Sequence, residues 1–254
     1  GADVVLADLN EGGLAPVAAE IDKLGRRTLS VRTDVSRKEE VAALAEEAIA
    51  WQGGVDLVMN NAGVAVRGHI EAQSLEDWEW IVGINLWGVV YGVHAFLPHM
   101  LERGRGHFVN VASLAGLIGA AGLASYSTTK FAVVGLTEAL RAETHYRGVS
   151  ATVVCPGFIR TNIVRAARIA SEGEGEADRA LIDRLKRQPE DLARKIVRSV
   201  KRDALYCLHT PEAYALTAVK RASPTLYGKM LHSTGPRIDA VMQGDLSGKG
   251  SKKK

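Results

Sequence analysis

Short apolar segments alternate with segments of helical periodicity up to about residue 155, and this alternation constrains the fold more than any other feature. The apolar segments read ADVVLAD, TLSVRTD, VDLVMN, GHFVNVA and VSATVVC. Strands that alternate with helices form βαβ units with right-handed crossovers and a parallel sheet. The sequence therefore predicts an α/β fold, a doubly wound parallel sheet with helices on both faces.

Polar or turn-forming residues stand at the ends of these predicted strands. They are Asp8, Asp34, Asn60, Ser113 and Pro156. In open parallel sheets, ligands bind outside the carboxyl ends of the strands. The sequence therefore predicts a ligand site at this edge of the sheet.

The segment NVASLAGLIGAAGLASYSTTK, residues 110–130, holds the most informative side chains. A helix that begins near Leu123 would put Tyr126 and Lys130 on one face, because residues four apart are neighbours on a helix. An ammonium group beside a phenol favours the phenolate. We therefore expect Lys130 to lower the pKa of Tyr126.

Five motifs together resemble the short-chain dehydrogenase/reductase family. They are NNAG (60–63), INLWGV with Asn85, NVASLAG with Ser113, YSTTK (126–130) and PGFIRT (156–161), each in the family's order and at its spacing. The resemblance implies a Rossmann-like fold and the oxidation or reduction of an alcohol/carbonyl pair with a nicotinamide cofactor.

The resemblance also implies catalytic roles for four residues. Tyr126 would be the general acid/base, and Ser113 would hydrogen-bond the substrate oxygen. Lys130 would lower the pKa of Tyr126 and bind the nicotinamide ribose hydroxyls. Asn85 would hold a water that links the lysine to solvent, although a purely structural role as a buried hydrogen-bonding residue remains open.

The cofactor-binding residues that the resemblance implies are Asp8, Asp34, Val35, Asn61, Ala62, Gly63, Tyr126, Lys130, Pro156, Gly157, Ile159 and Thr161. Asp8 resembles the carboxylate that binds the adenosine ribose, and it would repel a 2′-phosphate, so we expect NAD rather than NADP. Ordinary turn formation is the alternative for Asp8 and Asp34. For Asn60 the alternative is that it only ties strand ends together.

The glycine-rich phosphate loop of the family does not appear in this sequence. It should lie about 20 residues before the ribose carboxylate, yet Asp8 is preceded by seven residues. We therefore expect that the first βα unit is missing from the chain as given and that the natural protein is longer. The strand of that unit would lie between the strands that end at Asp8 and Asn60.

Composition and charge limit which other partners and sites are expected. The formal net charge of +3 includes Lys249, Lys252, Lys253 and Lys254, so the rest of the chain carries −1 and nucleic-acid binding is not expected. The uncharged segment 81–101 is long enough to span a bilayer, but its polar residues favour a buried helix over a membrane span. No metal site or disulfide is expected; Cys155 and Cys207 are interpreted as buried thiols.

We expect a single domain over residues 1–234, with a substrate lid at 158–188 and 223–234, and a flexible basic tail at 235–254. The predicted activity is NAD-dependent alcohol or carbonyl oxidoreduction, with steroid, retinoid, fatty and small cyclic alcohols all open as substrates. The alternatives are a non-catalytic relative that senses a dinucleotide or binds a partner, and a membrane or nucleic-acid role of the lysine tail. A cytoplasmic homodimer or homotetramer is expected, formed through the uncharged helices.

Overall fold

The computed structural model describes residues 1–157, 159, 163, 166–170 and 188–242, with the backbone alone for 234–242. The strands are β1 (Val4–Asp8), β2 (Thr28–Arg32), β3 (Leu57–Asn60), β4 (Val66–Arg67), β5 (Gly106–Val111), β6 (Val149–Cys155), β7 (Arg168–Ile169) and β8 (Tyr206–Leu208). The α-helices are α1 (Glu11–Lys23), α2 (Lys38–Gln52), α3 (Leu75–Val82), α4 (Gly88–Arg103), α5 (Ala124–Thr144), α6 (Pro189–Lys201), α7 (Pro211–Ala222) and α8 (Pro224–Met242).

The main sheet has the parallel order β3-β5-β6-β8, as the alternating pattern predicts. β1 and β2 pair in parallel with each other in a separate two-stranded sheet. In the described part of the chain, no strand pairing therefore joins the two sheets. The separation falls between the strands that end at Asp8 and Asn60, where the sequence predicts the strand of the missing βα unit. A third, small parallel sheet joins β4 to β7.

Helices cover both faces of the main sheet along β5, which accounts for the unbroken apolar run of that strand. In β3 the expected burial on both faces is wrong, because Leu57 and Met59 are 45% and 43% exposed. Phe108 and Val109 are consecutive in β5, and both are fully buried. Phe108 packs with Phe96 and Met100 of α4, whereas Val109 packs with Ile196 of α6. Because successive side chains of a strand point to opposite faces, this pattern identifies a parallel strand buried on both sides.

The apolar segment predicted as a buried helix lies within the continuous helical stretch Leu75–Arg103. This stretch is long and apolar enough to cross a membrane, and 39% of its most apolar window is buried inside the protein. Ile81, Phe96 and Met100 are among its buried residues, the last two in the core cluster that includes Phe108 of β5. One side of the stretch therefore packs in the core of the domain.

The carboxyl-terminal region departs from the predicted boundary of the tail. We expected a flexible tail from residue 235, but α8 continues to Met242. Residues 235–242 are thus helical, and residues 243–254 lie outside the described part of the chain, as does most of the predicted lid at 158–188.

Candidate active site

The fold brings the four predicted catalytic residues, Asn85, Ser113, Tyr126 and Lys130, to the carboxyl end of β5. Ser113 follows β5 by two residues, and Tyr126 and Lys130 lie in the first two turns of α5. Asn85 lies in a five-residue π-helical turn, Gly83–Trp87, between α3 and α4. Such turns occur often at functional sites. We call these four residues the catalytic cluster.

Tyr126 lies between Ser113 and Lys130. The Ser113 side chain lies close enough to its phenol to lower the pKa of that group by hydrogen bonding, and the Lys130 ammonium lies 5.7 Å from the centre of its ring. Burial raises the pKa of the Tyr126 phenol, and the bond to Ser113 opposes this only in part. The net shift in this structure is therefore upward, opposite to the expected lowering, because the loss of solvation is its largest cause.

Lys130 is held by the last residue of β5, the strand that precedes Ser113. Its Nζ donates a hydrogen bond to the Val111 carbonyl over 3.0 Å, and the residue is 2% exposed. Burial lowers the pKa of Lys130 to about 8, and the Cys155 side chain opposes this shift. At neutral pH the ammonium form still predominates, so the cluster contains a buried cation.

Asn85 is fully buried, and its amide is occupied by protein partners. Its Oδ1 accepts from the Val64 amide over 2.8 Å, and its Nδ2 donates to the Val64 carbonyl and to Thr129 Oγ1. Its side chain thus joins the loop after β3 to α5, in line with the structural alternative. A role in holding a water stays a prediction.

Gly63 shows why a residue without a side chain follows β3. A Cβ built there would lie 3.3 Å from both Asn85 Oδ1 and Lys130 Nζ. A larger residue would therefore push on two members of the catalytic cluster. Asn61 and Ala62, which precede it, are exposed at the same edge of the sheet.

Ser113 begins a tight loop that is held on two sides. Its Oγ accepts from the Ala115 amide over 3.1 Å, and the Leu114 amide donates to the Pro156 carbonyl over 2.7 Å. A Cβ on Gly116 would lie 2.6 Å from the Lys130 carbonyl oxygen. The loop therefore packs directly on the backbone of α5.

The two predicted carboxylates lie on the β1–β2 sheet. Asp8 is exposed, and its Oδ1 accepts from the Asn10 amide over 2.8 Å. Asp34 accepts from the Ser36 hydroxyl and amide, and these bonds lower the pKa of the Asp34 carboxyl. Both carboxylates thus form turns, as the alternative interpretation predicts, and both lie at the ligand edge.

Asn60 ties strand ends together. Its Nδ2 donates to Asn110 Oδ1 over 2.8 Å, and Asn110 Nδ2 donates to Thr137 Oγ1 over 3.0 Å. A Cβ at Gly92 would overlap the Asn60 side chain. Sequence reasoning missed Asn110, although two asparagines at equivalent places in adjacent strands are a signal for such a pair.

Gln73 is a second residue that sequence reasoning missed. It is buried, its Oε1 accepts from the Ser125 amide over 3.3 Å, and its Nε2 donates to the Gly68 carbonyl over 2.7 Å. The side chain therefore caps the start of α5, the helix that carries Tyr126. Nothing in the local sequence signals this role, because it depends on a contact 52 residues away.

The remaining predicted cofactor-binding residues lie at several positions around the carboxyl ends of the strands. Val35 packs against Gly88, where an added Cβ would lie 3.0 Å from Val35 Cγ2. Pro156 and Gly157 are half-buried after β6, and Ile159 is buried. Thr161 lies outside the described residues.

This donor set fits a nicotinamide nucleotide on its nicotinamide side. A buried lysine cation, a tyrosine hydroxyl and a glycine that leaves room at the backbone converge at one strand end. These are groups that bind hydroxyls and position a flat ring. Among the described residues, no group of histidine, cysteine and acidic side chains could hold a metal ion.

Comparisons with known proteins identify the family that the chain matches. The model of the family described as short chain dehydrogenase matches residues 1–172. A putative oxidoreductase SadH from Mycobacterium tuberculosis is 36% identical over 234 residues, which cover 91% of this chain and 85% of the relative.

Two solved structures bear on the cofactor. A short chain dehydrogenase/reductase from Burkholderia phymatum in complex with NAD is 34% identical, with a TM-score of 0.82, and the match covers 89% of this chain and 86% of that one. A gluconate 5-dehydrogenase from Burkholderia cenocepacia in complex with NADP and tartrate is 32% identical, with a TM-score of 0.62 and 65% of each chain covered. Similar proteins thus bind either nucleotide.

Proposed function

The chain belongs to the short-chain dehydrogenase family and is an oxidoreductase that transfers a hydride to or from a nicotinamide cofactor, and we propose that Tyr126 is its general acid/base. The carrying observation is the placement of the Tyr126 phenol between the Ser113 side chain and Lys130, whose ammonium lies 5.7 Å from the tyrosine ring. The proposed substrate is an alcohol or the corresponding carbonyl compound.

Each member of the catalytic cluster has a proposed part. Ser113 holds the substrate oxygen beside the Tyr126 hydroxyl, which gives the oxygen a proton during reduction or takes it during oxidation. Lys130 binds the ribose hydroxyls of the cofactor and keeps a positive charge near the phenol. Asn85 fixes the loop at Gly63 against α5. The bound nicotinamide supplies or accepts the hydride.

The charge balance at Tyr126 determines when this chemistry is efficient. Burial raises the pKa of the phenol, which moves it away from the range where a general base works best at neutral pH. We propose that Lys130 offsets this shift when the site closes around its ligands and water is excluded, because the attraction between a cation and a phenolate strengthens as the dielectric constant falls.

We propose NAD as the preferred cofactor, with NADP less favoured. The support is the exposed carboxylate of Asp8 at the end of β1, which would repel a 2′-phosphate. Asp34, Val35, Asn61, Ala62, Gly63, Pro156, Gly157, Ile159 and Thr161 complete the proposed cofactor site.

We further propose a cytoplasmic homodimer or homotetramer that associates through α4 and α5. Trp87 is 48% exposed just before α4, its ring stacks on Tyr91 at 5.6 Å, and Phe131 of α5 is 37% exposed. Trp87→Glu should shift the chain to a smaller species in light scattering, while Leu24→Glu, at an exposed site just after α1, should not. An unchanged mass for Trp87→Glu would exclude this interface.

The test of the catalytic proposal is Tyr126→Phe. Turnover of a panel of secondary alcohols with NAD, followed by absorbance of the reduced cofactor, should fall by about a thousandfold. Cofactor affinity should stay within a few-fold, since the ring remains. Tyr146→Phe is the matched control, because Tyr146 is 81% exposed beyond α5. Turnover retained in Tyr126→Phe would refute the mechanism.

A further inference from the structure

The loop after Ser113 is held on its outer side by the two carboxyl-terminal helices. Lys220 of α7 donates from Nζ to the Leu117 carbonyl over 2.6 Å. Tyr227 of α8 accepts at its hydroxyl from the Gly119 amide over 2.9 Å. These residues lie more than a hundred positions from the loop in sequence, so two separate long-range contacts hold two loop residues, Leu117 and Gly119.

The Lys220 ammonium is enclosed by aromatic rings. It lies 4.3 Å from the centre of the Phe131 ring and 5.6 Å from that of Tyr227. Loss of solvation lowers the pKa of Lys220. A charged donor bonded to a carbonyl makes a strong hydrogen bond, and the rings stabilise the cation in place of water. The side chain is therefore fixed rather than freely moving in solvent.

Backbone hydrogen bonds within the loop connect Leu117 to the residues that follow Ser113 and to Ser113 itself. The Leu117 amide donates to the Leu114 carbonyl, and the Gly116 amide donates to the Ser113 carbonyl, both over 2.9 Å. On the inner side Gly116 packs on the Lys130 carbonyl. A shift of Leu117 would therefore be transmitted to Ser113, because the backbone of Lys130 limits movement of the loop on its inner side.

We propose that Lys220 and Tyr227 are positioning residues that hold Ser113 in register with Tyr126 and thereby set how the substrate binds. This inference rests on the proposed function only for its kinetic part, since the contacts themselves are structural. Tyr227 lies in segment 223–234, which is predicted as part of the substrate lid. The contact with Gly119 gives that segment a second role, besides covering the substrate, in positioning the loop after Ser113.

The test combines amide exchange with kinetics in the full chain. In Tyr227→Phe, which keeps the ring and removes the hydroxyl, the Gly119 amide should exchange about tenfold faster by nuclear magnetic resonance. In Lys220→Met, substrate KM should rise about tenfold with kcat changed much less, and NADH affinity should stay within about twofold. Lys220→Arg should restore most of the loss, because it keeps a charged donor.

Matched controls are Lys229→Met and Tyr214→Phe, at exposed positions on α8 and α7. Both should behave as the wild type in exchange and kinetics. Unchanged Gly119 exchange in Tyr227→Phe would overturn the proposal, as would equal KM values for the Arg and Met variants at Lys220. If Lys220→Met does not fold, Tyr227→Phe decides alone. Faster exchange together with full turnover of Tyr126→Phe would reject the proposed catalysis and leave the loop contacts standing.

Discussion

The catalytic cluster and the β1–β2 sheet lie at the same kind of strand edge but hold their polar groups in opposite ways. Lys130 and Asn85 are at most 2% exposed, and each is bonded to a distant part of the chain. Asp8 is exposed, and Asp34 is only partly covered. Both carboxylates bond to residues two positions further on.

This difference in burial determines how much a single substitution should change the stability or activity of each region. A buried polar group that loses its partner carries the full cost of lost hydration, whereas an exposed group recovers bonds to water. Substitutions around the catalytic cluster should therefore change stability and turnover together. Those in the β1–β2 sheet should act mainly on ligand choice. The following predictions test this contrast.

The largest effect is expected for Asn110→Leu. This change removes the link between Asn60 and Thr137 and leaves the partly buried amide of Asn60 without its partner, which should lower the free energy of unfolding by about 3 kcal/mol. Asn10→Leu, in the exposed turn after β1, should change it by less than about 0.5 kcal/mol. Urea unfolding of both variants measures the contrast, and equal losses would contradict it.

A smaller effect, with a defined pH dependence, is expected at Lys130. Burial lowers the pKa of Lys130 to about 8 in the folded protein from an ordinary value of 10.5. Between these values the unfolded chain holds a proton that the folded chain has released, so stability rises with pH. Relative to Lys130→Met, the cofactor-free wild type should gain roughly 2 kcal/mol between pH 8 and pH 10.

The comparison with Lys130→Met isolates the lysine. Tyr126 has a raised pKa and would lose stability above its ordinary value near 10, in the opposite direction, but it is present in both proteins. Lys23→Met, at the exposed end of α1, is the matched control and should show no such difference. A difference between wild type and Lys130→Met that is flat with pH would mean that Lys130 is hydrated.

The sequence predicts the fold and the catalytic cluster because their signals are local. The apolar runs mark β3, β5 and β6 as strands, and Tyr126 and Lys130 are one helical turn apart whatever surrounds them. The run of β3 does not predict its burial, since Leu57 and Met59 are exposed. The net direction of the pKa shift at Tyr126 could not be predicted in this way. Spacing shows which groups are neighbours, but burial, the largest cause of the shift, depends on the whole fold.

Contacts between distant segments could not be predicted from the sequence. Gln73 caps α5 from 52 residues away, and Lys220 bonds Leu117 across 103 residues. Neither residue stands in a pattern that distinguishes it from an ordinary surface side chain. Helix α8 also continues past the predicted tail boundary, and residues 235–242, GPRIDAVM, contain none of the lysines on which the prediction of a basic tail rested.

The smallest effect is expected in the β1–β2 sheet, at Asp8. Asp8→Asn keeps the shape of the side chain and removes its charge, so repulsion of a 2′-phosphate should fall. Two charges separated by water interact by roughly 1 kcal/mol at contact distance, which corresponds to about a fivefold change in the ratio of kcat/KM for NAD to that for NADP. Unfolding stability should be unaffected, because Asp8 is exposed.

Asp34→Asn is the matched comparison within the same sheet. The Asp34 carboxylate is held by the Ser36 hydroxyl and amide, so its loss should loosen the turn after β2 while changing the NAD to NADP ratio less than Asp8→Asn does. Steady-state kinetics with both nucleotides at fixed ionic strength measures the ratios, since salt screens exposed charges. A larger change in the ratio for Asp34→Asn would assign the discriminating charge to β2 instead of β1.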